Sequence, residues 1–502
     1  MPPIQKNPVV EAVKNVISTI ALIWSCTLVG GLIFTEQTNI AQDVHPILAA
    51  VLLIFAVCWL SVVEGGQASL VGLAPVNRDL YKDSHKVAYK CTAIANEGDD
   101  LDRYLLGRQF MVVFIVFTVN QSGNPIADAE LWGLPQVVLD IFLGSGLAMI
   151  LLTTMIGQLN SQVNASHCML DYLNTWSNYA TIVVARGIEA SGLVHASYLI
   201  AIVVAAMAGK PIESNEAPRT DLQNIFFFGR CFMSLGILVF AFTVTLVALF
   251  NGQTTMWEGV PNGVAVIVFF LLMSVVGMLE GMQIAFFAVS RIPEDERGES
   301  FFARKTCEIL FFGDSHNLAG FMIGRQLCVV SCMFFIARVT SLDIEPDSDD
   351  TLFGVRSGTQ AFFNLGFLGA LITTIVASIA WQLVASAFPI AFLSNPFTYI
   401  LLRLCLFLEA TGICNGAYVI AWIHKKIAGF QRDEVHIGTA EERRAKAMAD
   451  DKKNLQVGAG HITKPPLVDA PQELKDLMAS NRDVEDYVKS MHAAEDGGVV
   501  DA

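Results

Sequence analysis

The chain has 502 residues, of which 53% are apolar and only 16% are charged, and its formal net charge is -15. A mean hydropathy of +0.51 is too high for an ordinary soluble protein. The charges concentrate in loops and after His424, without a block rich in Lys and Arg, so the composition excludes a nucleic-acid-binding protein and indicates an all-α polytopic membrane protein.

Apolar runs of the length needed to cross a bilayer recur along the chain. About 20 residues of helix cross the roughly 30 Å of hydrocarbon. We predict about ten transmembrane helices, at residues 15–34, 47–72, 105–120, 137–158, 187–208, 226–250, 260–290, 319–340, 360–386 and 397–423.

The distribution of Lys and Arg predicts that both termini are cytoplasmic. Loops 35–46 and 121–136 contain no Lys or Arg, whereas the loop after the second span contains Arg78, Lys82, Lys86, Lys90 and Arg103. The last span is followed by Lys425, Lys426 and Arg432. One loop conflicts with ten spans, because it would face outward with Arg291, Arg297, Arg304 and Lys305.

Residues 431–502 are polar and predict a cytoplasmic tail. Helix-forming stretches occupy 441–455 and 472–494, and neither contains a sustained heptad pattern. The tail is either a solvated segment or a helix that binds a partner or joins copies of the chain into a homo-oligomer.

Short motifs recur in the same order about 220 residues apart, which indicates an internal repeat. The matched segments are 64–67 with 280–283, 107–109 with 324–326, 142–144 with 367–369, 158–159 with 382–383, and 189–192 with 409–412. We therefore divide the membrane region into repeats at 1–210 and 211–430. Five helices in each would make the repeat inverted, the arrangement of secondary transporters whose sites lie near the midplane between the copies. Equivalent loops would then face opposite sides, which would account for the conflicting basic loop.

The repeated Glu-Gly-x-Gln motif supplies the first candidate site residues: Glu64 and Gln67, and Glu280 and Gln283. Glu and Gln three residues apart share a helix face, and charge inside a membrane is costly unless it is paired or wet. Gly65 and Gly281 would admit a close backbone neighbour or let the helix unwind. The alternative is a glutamate at a helix end in water.

The repeated Gly-Arg-Gln motif supplies the second set: Arg108 and Gln109, and Arg325 and Gln326, preceded by Gly107 and Gly324 as positions of close approach or helix breaking. We place this motif at the start of the third and eighth helices. Its guanidinium and amide can orient a hydroxyl-rich solute or pair with the motif carboxylate. The alternative is an arginine that reaches the membrane surface.

Glu189 and Glu409 form a further symmetric pair that either binds a cation or contributes to helix packing. The sequence contains no GxxxxGK[ST], HExxH or GxSxG motif. We therefore predict neither an enzyme nor a cofactor, and transport energy would come from an ion gradient or from the substrate's own gradient.

With Cys168-Met169-Leu170-Asp171, the paired EGxQ and GRQ motifs give a set that resembles the diatom silicon transporters over the whole helical region. The resemblance implies sodium-coupled uptake of orthosilicic acid at the plasma membrane, with EGxQ and GRQ as substrate-binding elements. It also implies a silicon- or zinc-related role for Cys168 and Asp171. One Cys and one Asp supply half of a tetrahedral ligand set, so we predict no metal there.

The combined hypothesis is a secondary transporter in which Na⁺ and silicic acid bind between two repeats that alternate access. The first rival is a passive channel, whose uptake would be independent of sodium and would not saturate. The second is a silicon sensor that binds silicic acid without moving it.

Overall fold

The computed structural model describes residues 8–442, apart from gaps at 39, 42–43, 127–128, 210–215, 258, 291, 294–296, 298–299, 313–315, 346–350 and 440–441. The described residues are helical, with isolated backbone bridges as their only β-type pairing. The membrane region up to Ile437 is one compact unit, in which the two predicted halves pack together. Beyond it, Thr439 and Glu442 each accept the other's backbone N–H, whereas both predicted tail helices, apart from Glu442, fall outside the described residues.

The two halves have the same order of long and short helices. The first contains α1 (Pro8–Phe34), α2 (Pro46–Leu73), α3 (Lys86–Ala95), α4 (Asp100–Gly123), α5 (Gln136–Gly144), α6 (Leu147–Ala165), α7 (Met169–Leu173), α8 (Trp176–Ala190) and α9 (Ala196–Ala208). The second contains their counterparts in order: α10 (Asp221–Asn251), α11 (Asn262–Ser290), α12 (Phe301–Leu310), α13 (His316–Thr340), α14 (Ser357–Asn364), α15 (Phe367–Ala387), α16 (Pro389–Leu393), α17 (Pro396–Thr411) and α18 (Gly416–Ala428). A short α19 (Asp433–Ile437) follows.

A left-handed glycine starts both α6 and α15. Gly146 has φ 77° and Gly366 has φ 72°, a conformation that glycine adopts without a Cβ clash. Each of these helices then contains a π-helical segment, Thr153–Leu159 in α6 and Thr373–Ile379 in α15. Such widened turns often occur at functional sites.

Seven of the described helices are long and apolar enough to cross a membrane, or up to nine if two bent pairs are each one span. The pair α5–α6 bends by 46° and the pair α17–α18 by 66°. The predicted fifth span, 187–208, is divided between α8 and α9. The 13 residues of α9 extend only about 20 Å, less than the hydrocarbon thickness. The described helices thus do not reach the predicted ten spans.

Equivalent helices of the two halves run in the same direction. Near the end of α4, Gln121 donates to Ser341, just after α13, at 2.5 Å. In return, Arg338 of α13 donates to Asn124, just after α4, at 3.2 Å. We call the face where α4 and α13 end the distal face, and the face where they begin the basal face.

The loops after α1 and α10 place the ends of these helices on the distal face as well. Thr38 pairs with Pro125 after α4, and Thr254 pairs with Leu342 after α13. Because α4 has 24 residues and is about 36 Å long, its two ends cannot share a face. The prediction of an inverted repeat is therefore wrong, since inversion would put the ends of equivalent helices on opposite faces.

The fifth predicted helix of each half is the source of this error. Asp171 in α7 contacts His85, just before α3, at 3.0 Å, and Glu216, just before α10, contacts Arg103 in α4 at 2.6 Å. The chain that includes α8 and α9 therefore begins and ends at the basal face and adds no crossing. An even number of crossings in the first half makes the second half start on the same side as the first.

The corrected direction brings the basic loops together. The basic segment containing Arg297 and Arg304, which includes the start of α12, follows α11 at the basal face, just as the segment containing Arg78 and Lys82 follows α2. The distal segments 35–45, 124–135 and 252–261 contain no Lys or Arg, and the distal segment 341–356 contains one, Arg356. In the sequence analysis, the assumption of ten spans placed the basic loop around residues 291–305 on the opposite side from the other basic loops. The parallel arrangement of the halves places them all on the basal face.

Candidate functional site

Glu64 of α2 and Arg108 of α4 form a buried ion pair. The Oε2 atom of Glu64 lies 2.8 Å from Nη2 of Arg108, and both side chains are 6% exposed. Gln162 of α6 donates from Nε2 to the same carboxylate oxygen at 3.0 Å. Arg108 also donates from Nη1 to Oε1 of Gln109 at 3.0 Å. Both charges need these partners, because a single buried charge without a counterion is strongly destabilising.

Glu280 of α11 and Arg325 of α13 repeat this pair. Their Oε1 and Nη2 atoms are 2.9 Å apart. Gln382 donates to Glu280 at 2.9 Å, and Arg325 donates to Oε1 of Gln326 at 2.8 Å. The two copies differ at the arginine Nε: that of Arg325 donates to the Leu279 carbonyl at 3.1 Å, whereas that of Arg108 is buried without a hydrogen-bond partner among the described residues.

Hydrogen bonds between the halves join the two ion pairs. Gln109 donates to Oγ of Ser378 at 2.8 Å, and Gln382 reaches the same oxygen at 3.3 Å. Gln326 donates to Oε1 of Gln158 at 2.6 Å. We call the resulting continuous chain of side chains the central network: Gln162, Glu64, Arg108, Gln109, Ser378, Gln382, Glu280, Arg325, Gln326 and Gln158.

The network lies nearer the basal face than the distal face. Glu64 is nine residues before Leu73, the last residue of α2, which is about 13 Å along the helix axis. All four residues of the GRQ motifs that were predicted as ligands, Arg108, Gln109, Arg325 and Gln326, are buried at 4 to 6% exposure. The structure thus brings together both predicted glutamates and both predicted Arg-Gln pairs.

Gln67 and Gln283 stand outside the central network. Both are half-buried on the basal side of their glutamates, in the interiors of α2 and α11. Neither forms a side-chain hydrogen bond within the described part of the chain, so their amides are available to a ligand. Sequence spacing placed Gln67 and Gln283 on the same helix face as their glutamates. It could not show that Gln162 and Gln382 would donate the hydrogen bonds to those carboxylates instead.

The π-helical segments supply site residues that the sequence analysis missed. Gln158 and Ser378 occupy equivalent positions in Thr153–Leu159 and Thr373–Ile379. The repeated Thr-Thr at the start of each segment was an available signal. Two of the predicted repeat matches are out of register. Residues 142–144 lie before the turn at Gly146, whereas their predicted partners, 367–369, lie after the equivalent turn at Gly366. Residues 158–159 lie inside the first π-helical segment, whereas their predicted partners, 382–383, lie beyond the second.

The motif glycines allow close helix contact and do not break their helices. Gly107 and Gly324 lie in the interiors of α4 and α13, where a Cβ would fall on the carbonyl oxygens of Ala185 and Cys405.

A Cβ added at Gly65 would likewise overlap the ring of Tyr172, and one added at Gly281 would overlap the ring of Phe392.

The prediction that GRQ opens its helix is wrong, since α4 begins at Asp100 and α13 at His316. Hydropathy marks only the apolar part of these helices, and their first turns are polar.

Glu189 and Glu409 lie outside the central network. Glu189 lies in the last turn of α8 near the basal face, where it accepts a hydrogen bond from the hydroxyl of Tyr198 at 3.0 Å and lies 3.7 Å from Nε2 of His195. Glu409 is near the end of α17, with Gly320 of α13 beside its carboxylate. The two glutamates thus lie in different helices and beside different residues.

Asp171 holds the C-terminal segment against the first half. It contacts Nε2 of His85 at 3.0 Å, accepts the backbone N–H of Gln431 at 2.6 Å, and lies 3.8 Å from His436. The ligand atoms of Asp171, His85 and His436 lie within 4.8 Å of one another, a spacing that could hold a metal ion. The histidines are distant in sequence, so their meeting with Asp171 could not be read from the motif.

Cys168 is buried at the start of α7 and does not belong to this cluster. Burial raises the pKa of its thiol, which disfavours the thiolate that a metal requires. The backbone N–H groups of Met169 and Leu170 donate to Asp433, each at 2.9 Å. Burial raises the pKa of Asp433, although these two donors act in the opposite direction. The Cys-Met-Leu-Asp segment therefore docks the chain that follows α18.

Comparison with family models matches residues 6–496 to the silicon transporter family. Comparisons with curated proteins and with solved structures found no match. Because the family match spans nearly the whole chain, this protein belongs to the silicon transporter family, and its helices fit a multi-pass membrane protein that transports silicic acid.

Proposed function

We propose that the central network is the binding site of a sodium-coupled silicic acid transporter. The observation that carries the proposal is the buried chain of hydrogen bonds that links two ion pairs across the boundary between the halves. Its inter-half bonds are those of Gln109 with Ser378 and of Gln326 with Gln158. A solute that replaces such bonds would change how the halves hold each other, which is what a transport cycle requires.

The chemistry of the network suits orthosilicic acid. This solute is a small neutral tetrahedron with four hydroxyls, each of which both donates and accepts a hydrogen bond. The carboxylates of Glu64 and Glu280 can accept from hydroxyls, while the guanidinium and amide groups can donate. Within the described part of the chain, Nε of Arg108 and the amides of Gln67 and Gln283 have no hydrogen-bond partner, so they would provide additional contacts without breaking existing bonds.

Sodium would supply the driving force. A neutral solute gains nothing from the membrane potential, whereas one Na⁺ gains about 2.3 kcal/mol per 100 mV. Carboxylate and amide oxygens are suitable ligands for a hard cation, and Glu64 and Glu280 each lie beside a glutamine side chain, that of Gln162 or Gln382. A cation beside either glutamate would compete with its arginine and free that guanidinium to bind the solute.

Alternating access would proceed by movement of one half against the other. Transporters with parallel repeats place their substrate site between halves that rock, so the correction of repeat direction leaves this mechanism in place. On the distal side of Gln109, the rings of Phe110, Phe114 and Phe367 pack with centroids 5.4 to 5.9 Å apart. Half-buried Gln67 and Gln283 lie on the other side, which favours a conformation closed toward the distal face.

Uptake of silicic acid into liposomes containing the full chain tests this proposal. We expect saturable uptake that requires an inward Na⁺ gradient, and Glu64→Gln or Glu280→Gln should lower the sodium-dependent rate at least about tenfold, the loss expected for one charge-assisted contact. Glu308→Gln is the matched control, because its carboxylate is 64% exposed on α12. Since each substitution in the network leaves a buried arginine without its counterion, the folded fraction of every variant is measured first.

Ser378→Ala provides a test without a change of charge. It removes an inter-half hydrogen bond and leaves both ion pairs, so we expect an altered uptake rate with little loss of folded protein. Uptake that is independent of the sodium gradient would indicate a passive facilitator. Binding without uptake would indicate a sensor.

We further propose that the basal face is cytoplasmic and that the protein resides in the plasma membrane. The basic residues of the basal loops support this orientation through the positive-inside rule. Thr35 and Asn251 occupy equivalent positions after α1 and at the end of α10, and both are exposed. We expect Cys at both positions to react with an impermeant maleimide from outside the cell, and Cys in place of Lys82 or Arg304 to react only after permeabilisation. If Thr35→Cys and Asn251→Cys were instead labelled from opposite sides of the membrane, the two halves would be inverted relative to each other and the parallel arrangement would be refuted.

A further inference from the structure

A second polar site opens at the basal face, apart from the central network. A cavity of about 550 Å³ lies between the end of α3, the start of α4, the junction of α8 and α9, and the start of α10. Arginines dominate its polar lining, which consists of Arg103, Arg186, Arg219, Arg230, Glu189, His195 and Tyr198. So many guanidinium groups around one cavity are the usual means by which proteins bind phosphate or carboxylate groups.

Two of the four arginines are already neutralised by carboxylates. Arg103 lies between Asp100, at 3.1 Å, and Glu216, at 2.6 Å. Arg186 contacts the same Asp100 at 2.9 Å. These ion pairs fix the wall of the cavity formed by α4 and α8.

The other two arginines form no close ion pair within the described part of the chain, although Glu189 interacts electrostatically with Arg230. Arg219 stacks over the ring of Phe227 at 4.1 Å, and Arg230 gives one hydrogen bond to the carbonyl of Ala190 at 3.1 Å. A guanidinium has five N–H donors, so most donors of both side chains remain available to a ligand. These two residues form the wall contributed by α10 and its preceding loop.

His195 adds a buried polar atom. Its side chain is 1% exposed and lines the cavity, and its Nδ1 has no hydrogen-bond partner in the described chain. Glu189 accepts a hydrogen bond from the Tyr198 hydroxyl, lies 3.7 Å from Nε2 of His195, and interacts electrostatically with Arg103, Arg230 and Arg186. An anion at Arg219 and Arg230 would therefore meet one partly satisfied carboxylate and several free donors.

The second half does not repeat this arrangement. The position of Arg103 is taken by Gly320, that of Arg186 by Leu406, and that of His195 by Asn415. Lys14 is the counterpart of Arg230, since it packs on Gly412 as Arg230 packs on Gly192. The cluster is therefore not a copy of the duplicated transport machinery.

The surroundings of the cavity are those of a membrane interface. Just after Arg219, the first turns of α10 expose Leu222 at 64%, Ile225 at 70% and Phe226 at 66%. We propose that this cavity binds a phosphate group, carried either by the headgroup of an anionic phospholipid whose acyl chains cover α10, or by a small soluble phosphate. Bound there, the phosphate would join α10 of the second half to α4 and α8 of the first.

Binding to the purified full-length protein tests this inference. In mixed micelles, retention of phosphatidic acid is compared with that of phosphatidylcholine by native mass spectrometry, and inorganic phosphate is titrated separately by equilibrium dialysis. The test variant is Arg219→Gln/Arg230→Gln, for which we expect affinity to fall at least tenfold. The control, Arg304→Gln/Arg432→Gln, removes the same charge from exposed basal positions and should bind as the wild type does.

The outcomes separate the sources of the phosphate. Retention of phosphatidic acid alone identifies a lipid site, and binding of inorganic phosphate as well identifies a site for soluble phosphates. The inference is overturned if neither probe binds, if the test variant binds as tightly as the wild type, or if the control loses as much affinity. Should the Gln variant fail to fold, Arg219→Lys/Arg230→Lys keeps the charge but removes the planar fork, and unchanged affinity in that variant would also overturn the proposal.

Discussion

The ion pair of Glu64 with Arg108 allows a quantitative test of the buried network. Replacing either residue alone by Gln leaves the other charge buried at 6% exposure. An uncompensated buried charge costs about 3–5 kcal/mol. The double variant Glu64→Gln/Arg108→Gln removes both charges and retains amides that can hydrogen-bond to each other. We therefore expect the double variant to be more stable than the sum of the single losses predicts, by at least about 2 kcal/mol.

This coupling energy is large for a membrane protein, in which hydrogen bonds between transmembrane helices average about 0.6 kcal/mol in such cycles. The assay is unfolding of the purified protein in mixed micelles of dodecylmaltoside and increasing SDS, followed by tryptophan fluorescence, for the wild type, both single variants and the double variant. Reversible unfolding of each protein is required for the comparison.

Glu11 and Lys14 of α1 provide the matched control cycle. Their side chains are 28% and 27% exposed at a distance of 3.2 Å, so solvent screening limits their coupling to about 0.5 kcal/mol. Additive losses in the Glu64 and Arg108 cycle, equal within error to the control, would show that the pair is hydrated and would remove the basis for a dry site.

Three further predictions concern packing, the second ion pair and the docked segment. Gly107→Ala should destabilise the protein by about 3 kcal/mol in the same unfolding assay, because the new methyl group meets a backbone carbonyl, whereas Gly229→Ala, in open space, should not. Arg325→Gln should cost about 1 kcal/mol more than Arg108→Gln, since its Nε bond is lost as well; equal costs would contradict this. Asp433→Asn should accelerate trypsin cleavage after α18, because it weakens the two hydrogen bonds that Asp433 accepts from the start of α7. An unchanged cleavage rate would show that Asp433 does not hold this segment in place.

The parallel direction of the repeats changes how the basic residues are understood. Hydropathy alone assigned a full crossing to residues 187–208 and to residues 397–423, and the first of these crossings turned one basic loop outward. In the structure, contacts such as Arg103 with Glu216 return the chain to the basal face before the next half begins. Membrane helices are recognised by their apolar length, but a bent pair of short helices has that length without crossing.

The sequence by itself determined the helical membrane class, and it indicated a repeat and the four charged residues that form the ion pairs. These follow from composition and from recurring motifs, since a charged residue in an apolar run must find a partner. The sequence also identified the glycines at which helices approach closely, because a position that excludes even a methyl group keeps glycine in both copies.

Only the tertiary structure decided which residues meet across the halves. The contacts of Gln109 with Ser378 and of Gln326 with Gln158 depend on how α4 and α13 pack against the widened turns of α15 and α6. The direction of the second half was likewise fixed by long-range contacts at the ends of α4 and α13. Hydropathy and spacing are local quantities, whereas the number of crossings depends on where the bent helices return, which only packing between distant segments determines.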